Sequence, residues 1–266
     1  MQLIDTHTHL YLPEFDTDRD EAVNRAVSNG IVKMLMPNID TDSVDRMLSA
    51  GNRYLDICYP MMGLHPTSVK DDYREQLDKL EQLFIEHKFI AVGEIGIDLY
   101  WDKTYLREQE KAFRRQVAFA VENRLPVVVH SRESFKEVFN VLEEFRGSAL
   151  KGVMHAFTGG REEIQIVDKL GLKLGIGGIV TFKNSGLDRV LAEVDPSKIV
   201  LETDSPYLAP VPYRGKRNES SYVPLINRKV AEIFSISEEK AAELTYNNSM
   251  ELFSLINDQN SRVTSC

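Results

Sequence analysis

The sequence predicts an α/β fold, a single-domain (β/α)8 TIM barrel, on three observations. Eight short runs of bulky apolar residues alternate with stretches of helical periodicity. The length of 266 residues is close to the ~250 typical of such barrels. Side chains able to bind metal recur where the apolar runs stop, and in a parallel barrel all strand ends open onto one face. A doubly wound open sheet is the competing fold, but it usually announces itself with a glycine-rich first turn, absent here.

The elements follow in order. Leu3-Ile4 is a strand that stops at Asp5-Thr6-His7-Thr8-His9. Asp16 to Asn29 places Ala22, Val23, Ala26 and Val27 at helical spacing, closed by Gly30. Ile31 to Met36 is the second strand, and Asp40 to Ala50 a helix with Val44, Met47 and Leu48 inward and Gly51 at its end. The third strand, Ile57 to Leu64, delivers His65, and Leu77, Leu80, Leu83 and Phe84 mark the helix behind it. Strand four, Ile90 to Gly93, ends at Glu94 and precedes a long helix from Thr104 to Arg124. Val127 to Val129 ends at His130, ahead of a helix carrying Phe135, Val138, Phe139 and Leu142. Gly152 to Met154 ends at His155, ahead of a helix over Ile164 to Leu170. Leu172 to Ile176, a short helix over Leu187 to Val194, and Ile199 to Leu201 complete the ring, the last strand running into Glu202-Thr203-Asp204. Helices over Pro224 to Phe234 and Glu238 to Phe253 finish a domain of residues 1–256, with 257–266 as a polar tail.

Apolar content of 42% and charged content of 27% are ordinary for a soluble globular protein. The start, Met1 to Asp5, has neither the basic segment nor the apolar run of a signal peptide. No stretch approaches the ~20 apolar residues that span a bilayer, so no membrane association is expected, and no obligate protein partner is evident. Cys58 and Cys266 are the only cysteines, which argues against a disulfide framework and for a reducing cytoplasm. A net charge of −9 speaks against coating nucleic acid with a broad basic surface. It leaves room for an enzyme that admits one strand end to a site whose metal ions supply the positive field.

His7 and His9, two residues apart in an extended chain, project to one side. Two such imidazoles can grip one metal ion, with a nearby carboxylate holding the rings. With His65, Glu94, His130, His155 and Asp204, the strand ends account for five of the six histidines. One such histidine is more often a satisfied structural residue than a ligand. Five, with two carboxylates, are hard to assign to packing, because burying them together is costly without a cation. His87 stands apart before Lys88 and reads as a solvated or capping residue. Four imidazoles and two carboxylates exceed one tetrahedral site and suit two ions about 3.5–4 Å apart sharing a bridging carboxylate, an arrangement that serves hydrolysis. Mixed nitrogen and oxygen ligands admit Zn, Mn, Mg, Fe or Ni. Protonated imidazole cannot bind metal, so activity is expected to fall below about pH 6.

The segments Asp5-Thr6-His7-Thr8-His9-Leu10, Gly63-Leu64-His65-Pro66, Gly93-Glu94-Ile95-Gly96-Ile97-Asp98, His130-Ser131-Arg132, His155-Ala156-Phe157-Thr158-Gly159 and Glu202 to Pro210 together resemble the TatD family of metal-dependent deoxyribonucleases, which belongs among the amidohydrolase-like barrels. The likeness runs from Leu3 to about Phe253. It implies that His7, His9, Glu94 and Asp204 hold one divalent ion and Glu94, His130 and His155 a second, with Glu94 bridging. It further implies that Asp204 takes a proton from the attacking water, and that His65 is a substrate-side histidine contacting a phosphate or an additional metal. The implied activity is Mg-stimulated hydrolysis of DNA from the 3′ end, with two ions per chain, Mg, Mn or Zn. Ala156 stands where many relatives have Cys, and Ser220 follows Glu219 where the loop usually continues into Pro; neither is a ligand.

Arg214, Lys216 and Arg217 form the densest basic patch, directly after the Asp204 strand end; they meet phosphates or line a solvated loop. Arg132, two residues past His130, is a better candidate to clamp a phosphate in a bidentate way, and Lys183 a weaker one. Tyr100, Trp101 and Phe157 follow ligand-bearing strands and either stack bases or pack. Arg107, Lys111, Arg114 and Arg115 read as the solvated face of the long helix. The expected function is a metal-dependent phosphodiesterase, a 3′-5′ exodeoxyribonuclease on single-stranded or frayed DNA ends. The alternatives are an amidohydrolase or esterase on small acyl or aminoacyl compounds, and a non-catalytic scaffold stabilised by metal.

Overall fold

A computed structural model describes residues 1–255; the expected polar tail, 257–266, lies outside them. Eight strands, β1 (Leu3–Asp5), β2 (Ile31–Pro37), β3 (Cys58–Met61), β4 (Val92–Asp98), β5 (Val127–Arg132), β6 (Gly152–Met154), β7 (Lys173–Ile176) and β8 (Ile199–Leu201), pair in parallel. They form a three-stranded sheet, β1-β2-β3, and a five-stranded sheet, β4-β5-β6-β7-β8. Single parallel bridges join both edges, Met62 with Val92 and Thr8 with Ser205. Across the first seam the Gly93 N–H donates to the Met62 carbonyl at 3.0 Å, and across the second the Thr6 N–H donates to the Leu201 carbonyl at 3.0 Å. The two sheets thus close into one barrel.

Helices α1 (Arg19–Ser28), α2 (Val44–Arg53), α3 (Tyr73–Glu86), α4 (Leu106–Glu122), α5 (Phe135–Glu143), α6 (Arg161–Lys169) and α7 (Leu187–Leu191) connect successive strands, and α8 (Val223–Phe234) and α9 (Glu238–Leu252) follow β8. None of the described helices is long and apolar enough to cross a membrane. Strand alternation sorts the core into two layers. Leu3, Met34, Met36, Val127, Val129, Ile199 and Leu201 belong to the layer packed under the helices. Ile4, Leu35, Met61, Ala91, Val128, Val153 and Val200 fill the interior, with Leu252, Phe253 and Leu255 packed against them from the end of α9. Val32, Tyr59 and Ile90, near the starts of their strands, join that cluster, so α9 seals the floor of the barrel.

Two residues beyond Val128, Val153 and Val200, the same inward phase brings His130, His155 and Glu202. The layer of histidine and carboxylate side chains therefore rests directly on the apolar one. β4 reaches that layer by a different route. Val92 pairs with Val127 and Ile95 with Val129, so three steps on β4 face two on β5, a bulge that re-aims the chain around Glu94. Beyond it, Gly96 has φ +147°, and a Cβ there would lie 2.0 Å from the His130 carbonyl oxygen; only glycine lets the strands meet so closely.

Several boundaries differ from those the sequence suggests. β4 and β5 continue to Asp98 and Arg132, so Glu94 and His130 lie within paired strand rather than at its tip. α1 begins at Arg19, not Asp16, because Pro13–Phe15 first makes a 3-10 turn. α2 begins at Val44, not Asp40: the Asp40 N–H donates to Ser43 Oγ at 3.1 Å and the Ser43 N–H to Asp40 Oδ1 at 2.9 Å, holding residues 40–43 in a turn.

The sealed floor carries a stability prediction. Phe253 is 2% exposed in the interior cluster, and Phe253→Ala should lower the unfolding free energy by about 3–5 kcal/mol, measured by urea denaturation. A loss under about 1 kcal/mol would show that the plug is dispensable.

Candidate metal centre

His7, His9, Glu94, His130, His155 and Asp204 meet at the carboxyl mouth of the barrel. His7 Nε2 lies 3.1 Å from Glu94 Oε2 and 3.7 Å from Asp204 Oδ1. His9 Nε2 is 3.2 Å from His7 Nε2 and 3.6 Å from both carboxylates. His155 Nε2 is 3.8 Å from Glu94 Oε1 and 3.7 Å from Asp204 Oδ1, and its ring stacks on His7 with centroids 3.5 Å apart. His130 Nδ1 is 2.9 Å from Glu94 Oε1. Glu94 is central, with one oxygen toward His7 and His9 and the other toward His130 and His155. Three sets of donor atoms are compact enough to hold an ion: His7, His9 and Glu94; His7, His155 and Asp204; and His65, Glu94 and His130.

Hydrogen bonds and close charge contacts around these rings decide which nitrogen faces inward. The Tyr11 hydroxyl donates to the Pro37 carbonyl at 2.7 Å, so at 3.0 Å it accepts the proton of His9 Nδ1 and leaves the His9 Nε2 lone pair pointing into the site. His155 Nδ1 sits 2.9 Å from Glu202 Oε1, which turns its Nε2 to Glu94 and Asp204. Glu202 is itself held by the Ala156 N–H at 2.6 Å, and a Cβ on Gly175 would stand 2.3 Å from its Oε2. His130 Nε2 is 2.9 Å from Asp98 Oδ2. These partners orient ligand rings as carboxylates commonly do around metals. Asp5 plays no such part: it accepts from the backbone N–H groups of His7 and Thr203 and from the Thr203 hydroxyl.

Imidazole lone pairs and carboxylate oxygens thus face one another, an arrangement that needs positive charge between them. The donor set fits divalent cations. Without metal, protons fill the role. Burial opposes a charge on His9, but its hydrogen bonds to Asp204 and Glu94 push it up to about 9. His155, likewise opposed by burial, is raised to about 10 by Glu202, Glu94 and Asp204. Burial and the neighbouring His155 push His7 down. Burial resists ionisation of Glu94 and Asp204, yet the surrounding histidines hold both carboxyls below their usual range.

His65 lies in the same neighbourhood, its Nε2 3.4 Å from Glu94 Oε1. The Thr67 N–H donates to His65 Nδ1 at 3.2 Å. With Thr67 Oγ1 2.7 Å from the same nitrogen, Nδ1 is engaged by Thr67 and Nε2 is the atom that faces the mouth. His87 is exposed at the end of α3, away from the site.

The basic candidates separate. Arg132 is exposed, its guanidinium 3.8 Å above the Tyr100 ring. Arg214 and Lys216 are exposed on the loop after β8, resting over Phe182 and Tyr213. Arg217 is engaged elsewhere: it donates to both Asp18 oxygens at 2.6 and 2.7 Å and to the Glu14 carbonyl at 2.7 Å, stapling the loop to the start of α1 instead of facing a phosphate. Buried Asn218 finishes the staple, donating to the Thr203 and Tyr207 carbonyls at 2.8 and 2.7 Å, and so braces the chain on both sides of Asp204. Sequence reasoning missed Tyr11, Asp98, Glu202 and Asn218 as supports, and Tyr207, which is 48% exposed with its ring 6.3 Å from His9. Tyr11 and Glu202 each stand two residues from a ligand, a spacing that could have flagged them.

Two predictions come from these contacts. Tyr11→Phe keeps the ring but removes the acceptor for His9 Nδ1; metal affinity should fall roughly 10–100-fold with folding intact, measured by competition with a chelating dye, and unchanged affinity would refute the role. The second concerns pH. A histidine raised above about 6.5 contributes stability that is fully present below that value and is lost as pH rises through about 9. The metal-free protein should therefore melt lower as pH rises from about 6.5 to 9.5, while protection by manganese, which needs deprotonated rings, grows over the same interval. The contest between proton and metal thus lies above the pH 6 expected of ordinary imidazole. A chelator-treated Tm that is flat or rising would overturn this assignment.

Comparison with known proteins agrees with the geometry. The model of the TatD related DNase family matches residues 4–254. The chain is 36% identical over 252 residues to a Bacillus subtilis protein named uncharacterized metal-dependent hydrolase YabD, covering 94% of this chain and 98% of that one. It is 30% identical over 260 residues to the 3′-5′ ssDNA/RNA exonuclease TatD of Pantoea ananatis, covering 96% and 100%. The crystal structure of YjjV, a TatD homologue from Escherichia coli, superposes with a TM-score of 0.88 at 27% identity, covering 96% of this chain and 98% of that one. The chain belongs to the TatD related DNase family and is a metal-dependent hydrolase.

Proposed function

We propose that the protein hydrolyses phosphodiester bonds in single-stranded nucleic acid, DNA in the first place, releasing nucleotides from the 3′ end. The observation that carries this reading is the convergence of His7, His9, Glu94, His130, His155 and Asp204 at one mouth, with Arg132 exposed two residues beyond His130. The likeness to proteins named as 3′-5′ ssDNA/RNA exonucleases supports the choice of substrate.

In this reading His7, His9, Glu94 and Asp204 would hold one divalent ion, and Glu94, His130 and His155 a second. When bound, such ions polarise the phosphoryl group and make water a better nucleophile near neutral pH. The chain's own groups do the rest. Asp204, kept ionised by the histidines around it, accepts the proton of the attacking water. His65, its Nδ1 engaged by Thr67, turns Nε2 to a non-bridging phosphate oxygen and donates to it. Arg132 binds a phosphate through the edge of its guanidinium, in the geometry that favours arginine over lysine. Arg214 and Lys216 attract the strand from across the mouth through charge.

Protein loaded with Mg or Mn and incubated with 5′-labelled single strands should yield a ladder receding from the 3′ end, abolished by chelator and by Glu94→Ala. Folded, metal-loaded protein that shortens no strand refutes the proposal; faster turnover of acyl esters or amides would return it to carbonyl chemistry. Arg132→Ala should raise KM for single strands by roughly tenfold with metal content unchanged. Loss of metal in that variant would mean that Arg132 supports the centre instead.

A further inference from the structure

Beside the metal centre the protein exposes a shelf that phosphate chemistry leaves unused. Phe157 is 2% exposed and packs against Phe135, so of the three aromatics that follow ligand-bearing strands it belongs to the core. Tyr100 and Trp101 do not: they are 49% and 69% exposed. Their rings meet edge to face, centroids 4.9 Å apart at 89°. The Arg132 guanidinium covers Tyr100 at 3.8 Å and lies 5.4 Å from the Trp101 ring.

The shelf is fastened to the site through one carboxylate. Asp98 Oδ1 accepts the backbone N–H groups of Tyr100 and Trp101 at 3.0 and 3.3 Å, and its Oδ2 lies 2.9 Å from His130 Nε2. Gln109 pins the Asp98 backbone from α4, accepting its N–H at 2.8 Å and donating to its carbonyl at 3.2 Å. The Leu99 N–H donates to the Arg132 carbonyl at 3.0 Å. An indole held this way, open to solvent and next to a cation, has the form of a stacking surface for a flat, electron-rich ring attached to an anion.

We infer that Trp101, buttressed by Tyr100 and Arg132 and tied to His130 through Asp98, is a nucleobase subsite that stacks one unpaired base flanking the bond to be cut. This deepens the nuclease reading and rests on it. Tyr100 gives a face to Arg132 and meets Trp101 at right angles, so the base takes the indole while its phosphate meets the guanidinium edge. A base inside a duplex has both faces covered, so the subsite selects single strands and frayed ends by stacking rather than by reading sequence.

Trp101 is the only tryptophan in the chain, and its emission reports on this shelf alone. Metal-loaded full-length protein should be titrated with an oligonucleotide whose 3′ linkages are phosphorothioates, to block cutting. The single strand should quench Trp101, whereas a duplex of the same sequence, or a strand abasic at its last two positions, should not. No quenching, or equal quenching by the abasic strand, overturns the subsite.

In turnover, Trp101→Ala should lower kcat/KM on single strands roughly 5- to 100-fold with metal content unchanged, and Trp101→Phe should recover most of it. Moving an abasic site to the terminal or the penultimate position should erase the difference between Trp101→Ala and wild type at one of the two. A Trp101→Ala protein as active as wild type on an ordinary strand overturns the inference. Strand shortening without quenching sinks the subsite and leaves the nuclease; quenching without shortening leaves a nucleobase site and sinks the nuclease.

Discussion

At the mouth of this barrel, each of four histidines, His7, His9, His130 and His155, holds a ring nitrogen within 4 Å of an oxygen of Glu94 or Asp204. With neither proton nor metal between them these groups would repel, and below them lies an apolar layer that screens poorly. The surrounding fold can be read as the apparatus that keeps this arrangement in place until a cation relieves it. Closure through Thr8 and Ser205 brings β1 beside β8, so that His7 and Asp204, about 200 positions apart in the chain, come within 3.7 Å of each other. Tyr11 and Glu202 stop the His9 and His155 rings from turning their lone pairs away. Asn218 and the Arg217–Asp18 pair hold the chain after Asp204.

The same constraint would let a chain with a net charge of −9 suit the polyanionic substrate proposed for it. A broad basic face is unnecessary when positive charge is imported as metal and concentrated where the chemistry occurs. The few cations near the mouth are then placed for geometry more than for bulk attraction. Arg132 and Arg214 each lie over an aromatic ring, a contact that leaves guanidinium N–H groups free to donate.

Much of this was legible in the sequence because the signal is chemical contrast: a histidine or carboxylate closing a run of valines and isoleucines has few structural explanations. His130, His155 and Asp204 were legible for that reason. Glu94 was identified, but the bulge that turns it inward was not, since a register shift depends on the partner strand. Asp98 was equally opaque: it looks like an ordinary residue after a glycine-containing strand, and only β5 supplies the His130 ring that gives it a role. Arg217 shows the reverse failure. Its charge is plain, but its partner Asp18 is 199 residues away, so local context suggested phosphate where the fold provides a carboxylate. Phe157 and Trp101 are alike in composition and position, and only burial tells them apart.

The α9 residues packed beneath the apolar layer make the barrel a cup rather than a tube. A polymer cannot be threaded through a cup. For the strand substrate proposed, whatever is clipped off would depart by the rim over which the remainder lies, so each cycle would end in traffic through a shared doorway. For an enzyme of this shape, the pace over many cycles is governed as much by how readily the shortened strand lifts and resettles as by the bond-breaking beneath it.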